Sequence, residues 1–458
     1  MKRKNNKLAR VLALVSSSLL VVSISGRDIA IANSAAIDNA LHTSHSKPVK
    51  SDGFDDTDSE YFKSSFSDSE SLQKYLDGIG EKIEEEGAVL LKNENDALPL
   101  SKGNRISLLG QGSYKTNYST SGSSSASGVS YPKLTDVLSE GGFEVNPKTT
   151  AFGEKTYLSA NSEYGRGEQS LIKFVNECPF DKLDSETVSS LSDYGDCVIV
   201  TLARDSGEGS DISTMGSDGE DGSYLSLSKE ERGILSSLTG LKKEGKIKKI
   251  VVLINTAVPI RTDFLSDSSL GIDSALWIGN LGSKGIYGVK DLLIGNVSPS
   301  GRLNDTFLKD NMSSPSMASW MSDSNGSFAL KYPNAKTYKL NQTQSYYGVY
   351  QEGIYVGYRY YETRYEDSVL KRENVGDYDY SKVVSYPFGY GLSYTEFSYS
   401  DFDISEKDDT FLVSVNVTNV GNKYSGREAV QVYLQKPYTD YDILNGVEKA
   451  SVELVGYA

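Results

Sequence analysis

The sequence predicts a fold in two parts, an α/β region followed by an all-β region, and three observations support this prediction. Short apolar, β-branched runs alternate with helical patterns between about residues 88 and 297, which is typical of a mostly parallel sheet covered by helices. From Tyr399 onward the apolar residues repeat with a period of two, as expected for strands of an antiparallel β-sandwich. Hydrophobic residues make up 38% of the chain, which is enough for a substantial core.

The elements of the α/β region follow from local patterns. Apolar residues at helical spacing between Glu70 and Gly87 predict the first helix. Short apolar runs predict strands at 89–91, 106–109, 143–145, 197–202, 250–254 and 275–278, and helical spacing predicts helices at 134–138, 171–175 and 286–293. Ser228, followed three residues later by Glu231, forms a capping box that opens a further helix.

The all-β region is predicted from strict alternation. Phe411, Val413, Val415 and Val417 share one face of a strand, and a similar alternation recurs between Val430 and Leu434. A β-sandwich of this kind needs about 100 residues, but the chain ends at Ala458, only about 60 residues after the first clear strand. We therefore expect this β-sandwich to be truncated.

Composition excludes several classes of function. The 47 Lys and Arg residues against 62 Asp and Glu residues give a net charge of −15, so the chain lacks the basic surface of a nucleic-acid-binding protein. The two histidines, His42 and His45, lie in a polar N-terminal tail. A folded part without histidine excludes Ser-His-Asp and Cys-His catalysis and His-ligated zinc. Carboxylates, Lys, Tyr or Arg must therefore carry any catalysis.

The N-terminus has the pattern of an export signal. Basic residues precede an uncharged, mostly apolar stretch from Val11 to Ile24, which as a helix rises about 21 Å, less than the roughly 30 Å core of a bilayer. This length favours a signal peptide, and Ala30-Ile31-Ala32 fits a cleavage site. Arg27 and Asp28 before that site leave an uncleaved membrane anchor as the alternative. We expect an exported protein, secreted or at the cell surface.

A carboxylate-rich loop is the main candidate for a functional site. Residues 204–211 follow the buried strand 197–202, and loops at the carboxyl ends of strands bind ligands in open α/β sheets. The glycines on both sides of Glu208 let the backbone bend so that its carboxyl group projects outward. The loop continues through Glu220 to Tyr224.

These motifs have three other interpretations, and composition alone favours the first of them. A solvated acidic loop would have the same composition. The spacing of Asp205 and Asp211 does not fit an EF-hand calcium loop, which needs intervening ligands and a terminal Glu. The Gly110-Gln111-Gly112 turn resembles part of a dinucleotide-binding motif, but Lys115 occupies the position of its third glycine.

Taken together, seven segments resemble glycoside hydrolase family 3, the β-glucosidase family. They are GAVLLKNENDALPL (87–100), SGEGSD (206–211), YLSLS (224–228), VSPSGRLNDTF (297–307), EGIYVGYRYYET (352–363), YPFGYGLSYTEFSY (386–399) and GREAVQVYLQKP (426–437). Members of the family have a TIM-like barrel, an α/β sandwich and a fibronectin type III-like domain. Composition and hydropathy predict a signal peptide or anchor (1–32), a polar linker (33–69) and a connector (311–385). The resemblance implies an α/β sandwich (70–310) and an incomplete fibronectin type III-like domain (386–458).

The resemblance also implies which half of an active site is present. The sandwich comes first here, which is the permuted domain order, so the barrel with its Asp nucleophile is expected downstream and is absent from this sequence. Glu208 matches the family's acid/base in its SGEG-type motif, and Glu220 is the alternative. We also expect Asp211 to bind substrate. Ile212 stands where other members have an Arg after this motif.

The implied activity is retaining hydrolysis of β-linked glucosides or oligosaccharides by two carboxylates about 5 Å apart. It needs neither a cofactor nor a metal ion, and no nucleic acid partner is expected. This chain alone is expected to be inactive without its barrel. The alternatives are a non-catalytic surface protein that binds carbohydrate or mediates adhesion, and a gene fragment without a stable product.

Overall fold

The computed structural model describes residues 5–41, 64–120, 122, 129–169, 172–208, 212, 215–318 and 350–458. The chain divides into two units, Met1–Ser67 and Asp68–Ala458. The first unit contains helices α1 (Asn5–Ala32) and α2 (Ser34–Leu41). The helix α2 occupies the start of the predicted polar linker, while His42, His45 and the rest of the linker up to residue 63 lie outside the described residues.

The first helix is longer than the sequence pattern suggested. Among the described residues, the segment Arg10–Ala32 is the one helix whose length and apolar composition would allow it to cross a membrane. Its 23 residues correspond to about 34 Å of helix, which exceeds the roughly 30 Å of a bilayer core. A signal sequence near the N-terminus has the same properties.

The second unit is built around a six-stranded sheet. Its strands and those that follow are, in chain order, β1 (Val89–Asn93), β2 (Arg105–Leu109), β3 (Glu144–Val145), β4 (Gly167–Gln169), β5 (Ile172–Phe174), β6 (Cys197–Arg204), β7 (Ile250–Thr256), β8 (Ser274–Trp277), β9 (Phe307–Leu308), β10 (Val384–Tyr386), β11 (Phe397–Lys407), β12 (Thr410–Asn419), β13 (Gln431–Leu434) and β14 (Glu453–Tyr457). The sheet has the order β1-β8-β7-β6-β2-β3, and all its neighbours are parallel except β1 and β8. The predicted, mostly parallel sheet is therefore confirmed.

Helices cover both faces of this sheet. The helices of the second unit are, in chain order, α3 (Ser69–Gly87), α4 (Leu134–Glu140), α5 (Pro147–Leu158), α6 (Ser185–Asp193), α7 (Lys229–Lys243), α8 (Gly285–Ile294), α9 (Tyr358–Val369), α10 (Tyr380–Val383) and α11 (Asp440–Asn445). Those that pack on the sheet include α6 and α7 on one face and α4 and α8 on the other. Alternate residues of the central strands enter two separate cores, because successive side chains point to opposite faces. Val198 and Val200 pack with α7 on one face, and Cys197 and Ile199 pack with α4 and α8 on the other.

Two expectations for the helices need correction. The predicted helix at 171–175 is wrong: Ile172–Phe174 forms β5, which pairs with β4, and the N–H groups of Val175 and Asn176 donate to the carboxylate of Asp218. These backbone groups are therefore engaged outside any helix. In α3, the apolar residues at helical spacing face solvent, whereas Glu84 is buried against α8.

The C-terminal part is antiparallel, as predicted. The pairs β9–β10, β11–β12 and β13–β14 each form a two-stranded sheet. In β12 the alternation of apolar residues produces only a partly buried face, since Val413 and Val415 are half-buried while Phe411 and Leu412 are exposed. A bridge between Leu90 and Leu392 and an ion pair between Arg302 and Glu428 connect this part to the α/β region.

Candidate active site

The loop that carries Glu208 begins at a reversal in strand order. From β2 the chain adds β3 on one side, and it then returns to the other side of β2 to add β6, β7 and β8. Crevices at such switch points, beyond the carboxyl ends of the strands, are the usual ligand-binding places in open α/β sheets. Since β6 ends at Arg204, the loop starts at this point, at the carboxyl end where the sequence pattern placed it.

Glu208 is exposed and lies four residues after the end of β6. It packs against the backbone of Gly122, which has a φ of +76°. A Cβ atom at Gly122 would lie 2.5 Å from the Cβ of Glu208 and 2.8 Å from its Oε2. The position opposite Glu208 therefore has no room for a side chain. Asp211 lies outside the described residues.

The root of the loop is fixed at Asp205. Its carboxylate accepts a hydrogen bond from Nε of Arg166 at 2.7 Å, and its backbone N–H donates to the hydroxyl of Tyr224 at 2.8 Å. The Arg166 side chain is only 7% exposed, and it also donates to Oδ1 of Asn117 at 2.7 Å and to the carbonyl of Lys115 at 2.8 Å. Glu208 thus projects from a backbone that is anchored three residues before it.

Two asparagines connect the carboxyl ends of three strands. The backbone N–H of Asn117 donates to Oδ1 of Asn255 at 2.6 Å, and Nδ2 of Asn117 donates to the carbonyl of Arg204 at 2.8 Å. Asn255, in β7, also donates to the carbonyl of Gly279 just beyond β8 at 2.6 Å. These bonds hold the edges of the crevice together.

A polar pocket of about 290 Å³ opens beside the loop root. It is lined by Asn117, Ser119, Thr120, Gly167, Glu168, Lys173, Asp205, Ser206, Tyr224 and Asn280. Oδ1 of Asn280 is buried and has no hydrogen-bond partner in the described part of the chain. Amide, hydroxyl and charged groups in this number suit a ligand that carries several hydroxyl groups.

A buried ion pair fastens both ends of the connection between β6 and α7. The guanidinium of Arg204 makes two hydrogen bonds to the carboxylate of Glu231, at 2.8 and 2.7 Å, and neither side chain is more than 1% exposed. Arg204 also donates to the carbonyls of Tyr224 and Ser226. Burial opposes the charge of Arg204, but Glu231 outweighs it, and the pKa of Arg204 is raised.

Glu220 has a different environment. Its carboxylate accepts a hydrogen bond from Nε of Arg232 at 2.5 Å, and Arg232 also pairs with Asp267 at 3.0 Å. The backbone N–H of Glu220 donates to the carbonyl of Leu227 at 2.9 Å, which closes this segment on itself. Glu220 lines a second cavity of about 210 Å³ that shares no lining residue with the first.

The neighbouring Asp221 is also held in an internal network. It accepts hydrogen bonds from the hydroxyl of Ser226 at 2.5 Å and from Arg261 at 2.6 Å. Burial acts to raise the pKa of Asp221, but these hydrogen bonds outweigh it and the pKa is lowered. Asp221 is therefore stabilised as an anion.

Several residues of the site are not evident from the sequence. Arg166 and Gly122 carry no local signal, whereas Asn255 directly follows the predicted strand 250–254 and could have been noticed there. The glycines of the Gly110-Gln111-Gly112 turn have a packing role: a Cβ atom at Gly112 would lie 2.6 Å from the carbonyl oxygen of Thr201. The turn is thus pressed against β6.

Comparison with known proteins is consistent with this architecture. The model of the glycosyl hydrolase family 3 C-terminal domain matches residues 88–358. A β-glucosidase of Ruminococcus albus is 31% identical over 387 residues, which cover 83% of this chain and 34% of that protein. Thermostable β-glucosidase B of Acetivibrio thermocellus is 27% identical, with 81% of this chain and 39% of that protein covered.

Solved structures of β-glucosidases are also similar to this chain. β-Glucosidase 3B of Thermotoga neapolitana, in complex with glucose, has a TM-score of 0.64 and 27% identity, and the match covers 84% of this chain and 46% of that one. A β-glucosidase of Paenibacillus barengoltzii has a TM-score of 0.63 and 27% identity, with 83% and 36% covered.

Fold and matches together define a domain of a glycosyl hydrolase. The chain belongs to glycosyl hydrolase family 3. It spans between about a third and two-fifths of the length of the first curated relatives that it matches. Its described residues form no closed barrel.

Proposed function

We propose that this chain provides the acid/base half of the active site of a retaining β-glucosidase, and that Glu208 is the acid/base. The observation that carries the proposal is the position of Glu208, exposed on the loop that leaves β6 at the switch point of the sheet. The polar pocket beside the root of that loop supports it. Membership of the family makes O-glycosyl hydrolysis the activity to test first.

The chemistry requires two carboxyl groups with different roles. One must protonate the leaving oxygen, and in retaining enzymes a second, about 5 Å away, attacks the anomeric carbon. We propose that the second comes from a barrel domain that carries an Asp nucleophile. When such a barrel covers the loop, burial and the neighbouring carboxylate would raise the pKa of Glu208, as a general acid requires.

Glu220 is the weaker candidate because of its place in the connection between β6 and α7. The guanidinium of Arg232 donates to its carboxylate, and Arg232 also pairs with Asp267. Glu220 lines a different cavity from the one beside the root of the Glu208 loop. Asp211, three residues after Glu208, is proposed to bind substrate hydroxyls.

We further propose a β-linked glucoside or oligosaccharide as the substrate, since several of the similar proteins are β-glucosidases. Export through α1, as a signal peptide or as an anchor, fits a protein that acts on external glycans. The domain boundaries that the sequence suggested at residues 70, 310 and 386 belong to the same proposal.

The test is to fuse the full chain to a family 3 barrel domain and to assay aryl β-glucosides. We expect Glu208→Gln to lower kcat/KM, which reports the step that releases the leaving group, by about 10² to 10⁴ on a substrate with a poor leaving group, and much less on a dinitrophenyl glucoside, whose departure needs no acid. The unfused chain should release no nitrophenol. Release by the unfused chain, or full activity of the fused Glu208→Gln variant, would contradict the proposal. Binding without turnover in the fused protein would favour a carbohydrate-binding protein instead.

A further inference from the structure

A continuous series of hydrogen bonds leads from the root of the Glu208 loop into the core and ends at Glu177. Oε2 of Glu177 accepts from the backbone N–H of Gln111 at 2.8 Å. Oε1 of the Gln111 side chain accepts from the backbone N–H of Arg166 at 2.8 Å. Arg166 in turn donates to Asp205 at 2.7 Å. Three successive bonds therefore connect a buried carboxyl group to the start of the loop.

Each intermediate residue is fixed by a further contact. Gln111 is fully buried, and its Nε2 donates to the carbonyl of Val175 at 2.5 Å, two residues before Glu177. Arg166 is also held by Asn117. A displacement of the Gln111 turn would therefore reach Asp205 through Arg166, because the side chains between them have little room to compensate.

Glu177 is an unusual residue to find at such a position. It is only 2% exposed, and within the described residues it forms no ion pair. Its carboxylate accepts only from neutral donors, namely the N–H groups of Gln111 and Cys178 and the hydroxyl of Tyr157. Burying a carboxyl group without a cation is costly.

The surrounding titratable groups provide no positive charge for it. Those that face Glu177 are Tyr157 on α5, Tyr114 beyond β2, the adjacent Cys178, and Glu231 on α7. Glu231 is paired with Arg204, so its charge is already compensated. Packing alone would be served better by an apolar residue, which suggests that the carboxyl group has a specific task.

We propose that Glu177 is a positioning residue: its carboxylate holds the Gln111 turn and, through Arg166 and Asp205, sets the position of the loop that carries Glu208. Its relevance to catalysis rests on the proposed role of Glu208. The coupling itself rests only on the hydrogen bonds.

The coupling should depend on pH. Burial raises the pKa of Glu177 to about 7, and the hydrogen bond from Gln111 acts in the opposite direction. By reciprocity, the ionised carboxylate holds Gln111 more firmly than the protonated acid does, since charge-assisted hydrogen bonds are roughly twice as strong as neutral ones. The loop root should therefore be firmest above about pH 7 and loosen as the pH falls toward 5.

Global stability should change in the opposite sense. The pKa of Glu177 is 4.5 without the protein environment and about 7 in the folded protein, so the folded state binds more protons between these values. Its contribution to stability therefore falls as the pH rises through this window. If Glu177 affected the loop only through the global stability of the fold, protection of the loop would fall as the pH rises. If Glu177 positions the loop, that protection rises with pH, so the direction of the change separates the two cases.

The experiment is hydrogen–deuterium exchange of the full chain at several pH values between 5 and 8, corrected for intrinsic exchange rates. We expect peptides that cover 203–208 and 111–118 to become severalfold better protected as the pH rises. Glu177→Gln should abolish this pH dependence. The matched control is Glu84→Gln, since Glu84 is also buried with a raised pKa but faces α8. It should leave the dependence at 203–208 unchanged.

Arg166→Met interrupts the series in the middle. It should remove the pH dependence at 203–208 and retain it at 111–118, and it provides the test if Glu177→Gln does not fold. The inference is overturned if Glu177→Gln or Arg166→Met leaves the dependence at 203–208 intact, or if Glu84→Gln removes it equally. Exchange is measured without substrate, so failure of Glu208 as the acid/base would not affect this result.

Discussion

Glu208 and Glu220 lie on the same connection between β6 and α7, yet their environments differ. Glu208 is exposed, follows an anchored root, and faces a glycine that leaves no room for a side chain. Glu220 lies in a segment closed by the bridge between Gly219 and Ser228, and its carboxylate is paired with Arg232. Glu208 is exposed and lies against Gly122, whereas Glu220 takes part in the internal contacts of the loop.

If Glu208 is the acid/base, as proposed, the connection carries several acids and uses only one of them for catalysis. An exposed carboxylate can be given a raised pKa by a domain that covers it. Glu220 instead takes part in the internal contacts of its own segment, through Arg232 and through the backbone hydrogen bond to Leu227.

The largest effect on stability is expected at the buried ion pair between Arg204 and Glu231, which joins the two ends of the connection between β6 and α7. Glu231→Gln should destabilise the fold by about 3–5 kcal/mol, because it leaves the guanidinium of Arg204 buried without its counter-charge. Urea unfolding measures this as a lower midpoint. A change below about 1 kcal/mol would show that the pair does not hold the connection.

A smaller effect is expected at the residue that faces Glu208. Gly122→Ala should displace Glu208 and lower the activity of the barrel-fused protein by up to about 10²-fold, as misplacement of a catalytic group by about 1 Å can do. The left-handed backbone at Gly122 adds a stability cost of about 1–2 kcal/mol. Gly103→Ala, at a left-handed glycine with open space, is the control for that cost. Equal activity of Gly122→Ala and Gly103→Ala would contradict the expectation that close packing against Gly122 positions Glu208.

The smallest effect is expected at Glu220. Its ion pair with Arg232 is about one-third exposed, and such pairs contribute about 0–1 kcal/mol. Glu220→Gln should therefore shift the unfolding midpoint only slightly and leave kcat/KM of the fused protein within about threefold. A loss comparable to that of Glu208→Gln would reverse the assignment of the two carboxylates.

The sequence predicts the elements whose signal is local. The uninterrupted β-branched run of β7 and the capping box at Ser228 both appear as expected, and the box is complete, with Ser228 and Glu231 each accepting from the other's backbone. The loop after β6 could be located because ligand loops follow the carboxyl ends of strands.

The features of the fold and the candidate site that local patterns do not predict depend on contacts between distant parts of the chain. Ile172–Phe174 has apolar spacing that fits a short helix or a strand, and its pairing with β4 decides between them. Arg166 meets Asp205 across 39 residues, and Glu177 meets Gln111 across 66. No periodicity in a single sequence reveals such pairs.

The central claim is tested most directly by azide rescue of the barrel-fused protein on an activated aryl β-glucoside. Without the acid/base, the glycosyl-enzyme intermediate cannot be hydrolysed efficiently, and azide attacks it without general-base help. We expect azide to accelerate Glu208→Ala and to yield β-glucosyl azide, while Glu220→Ala shows neither effect. Azide rescue of Glu220→Ala, with no response from Glu208→Ala, would contradict the account.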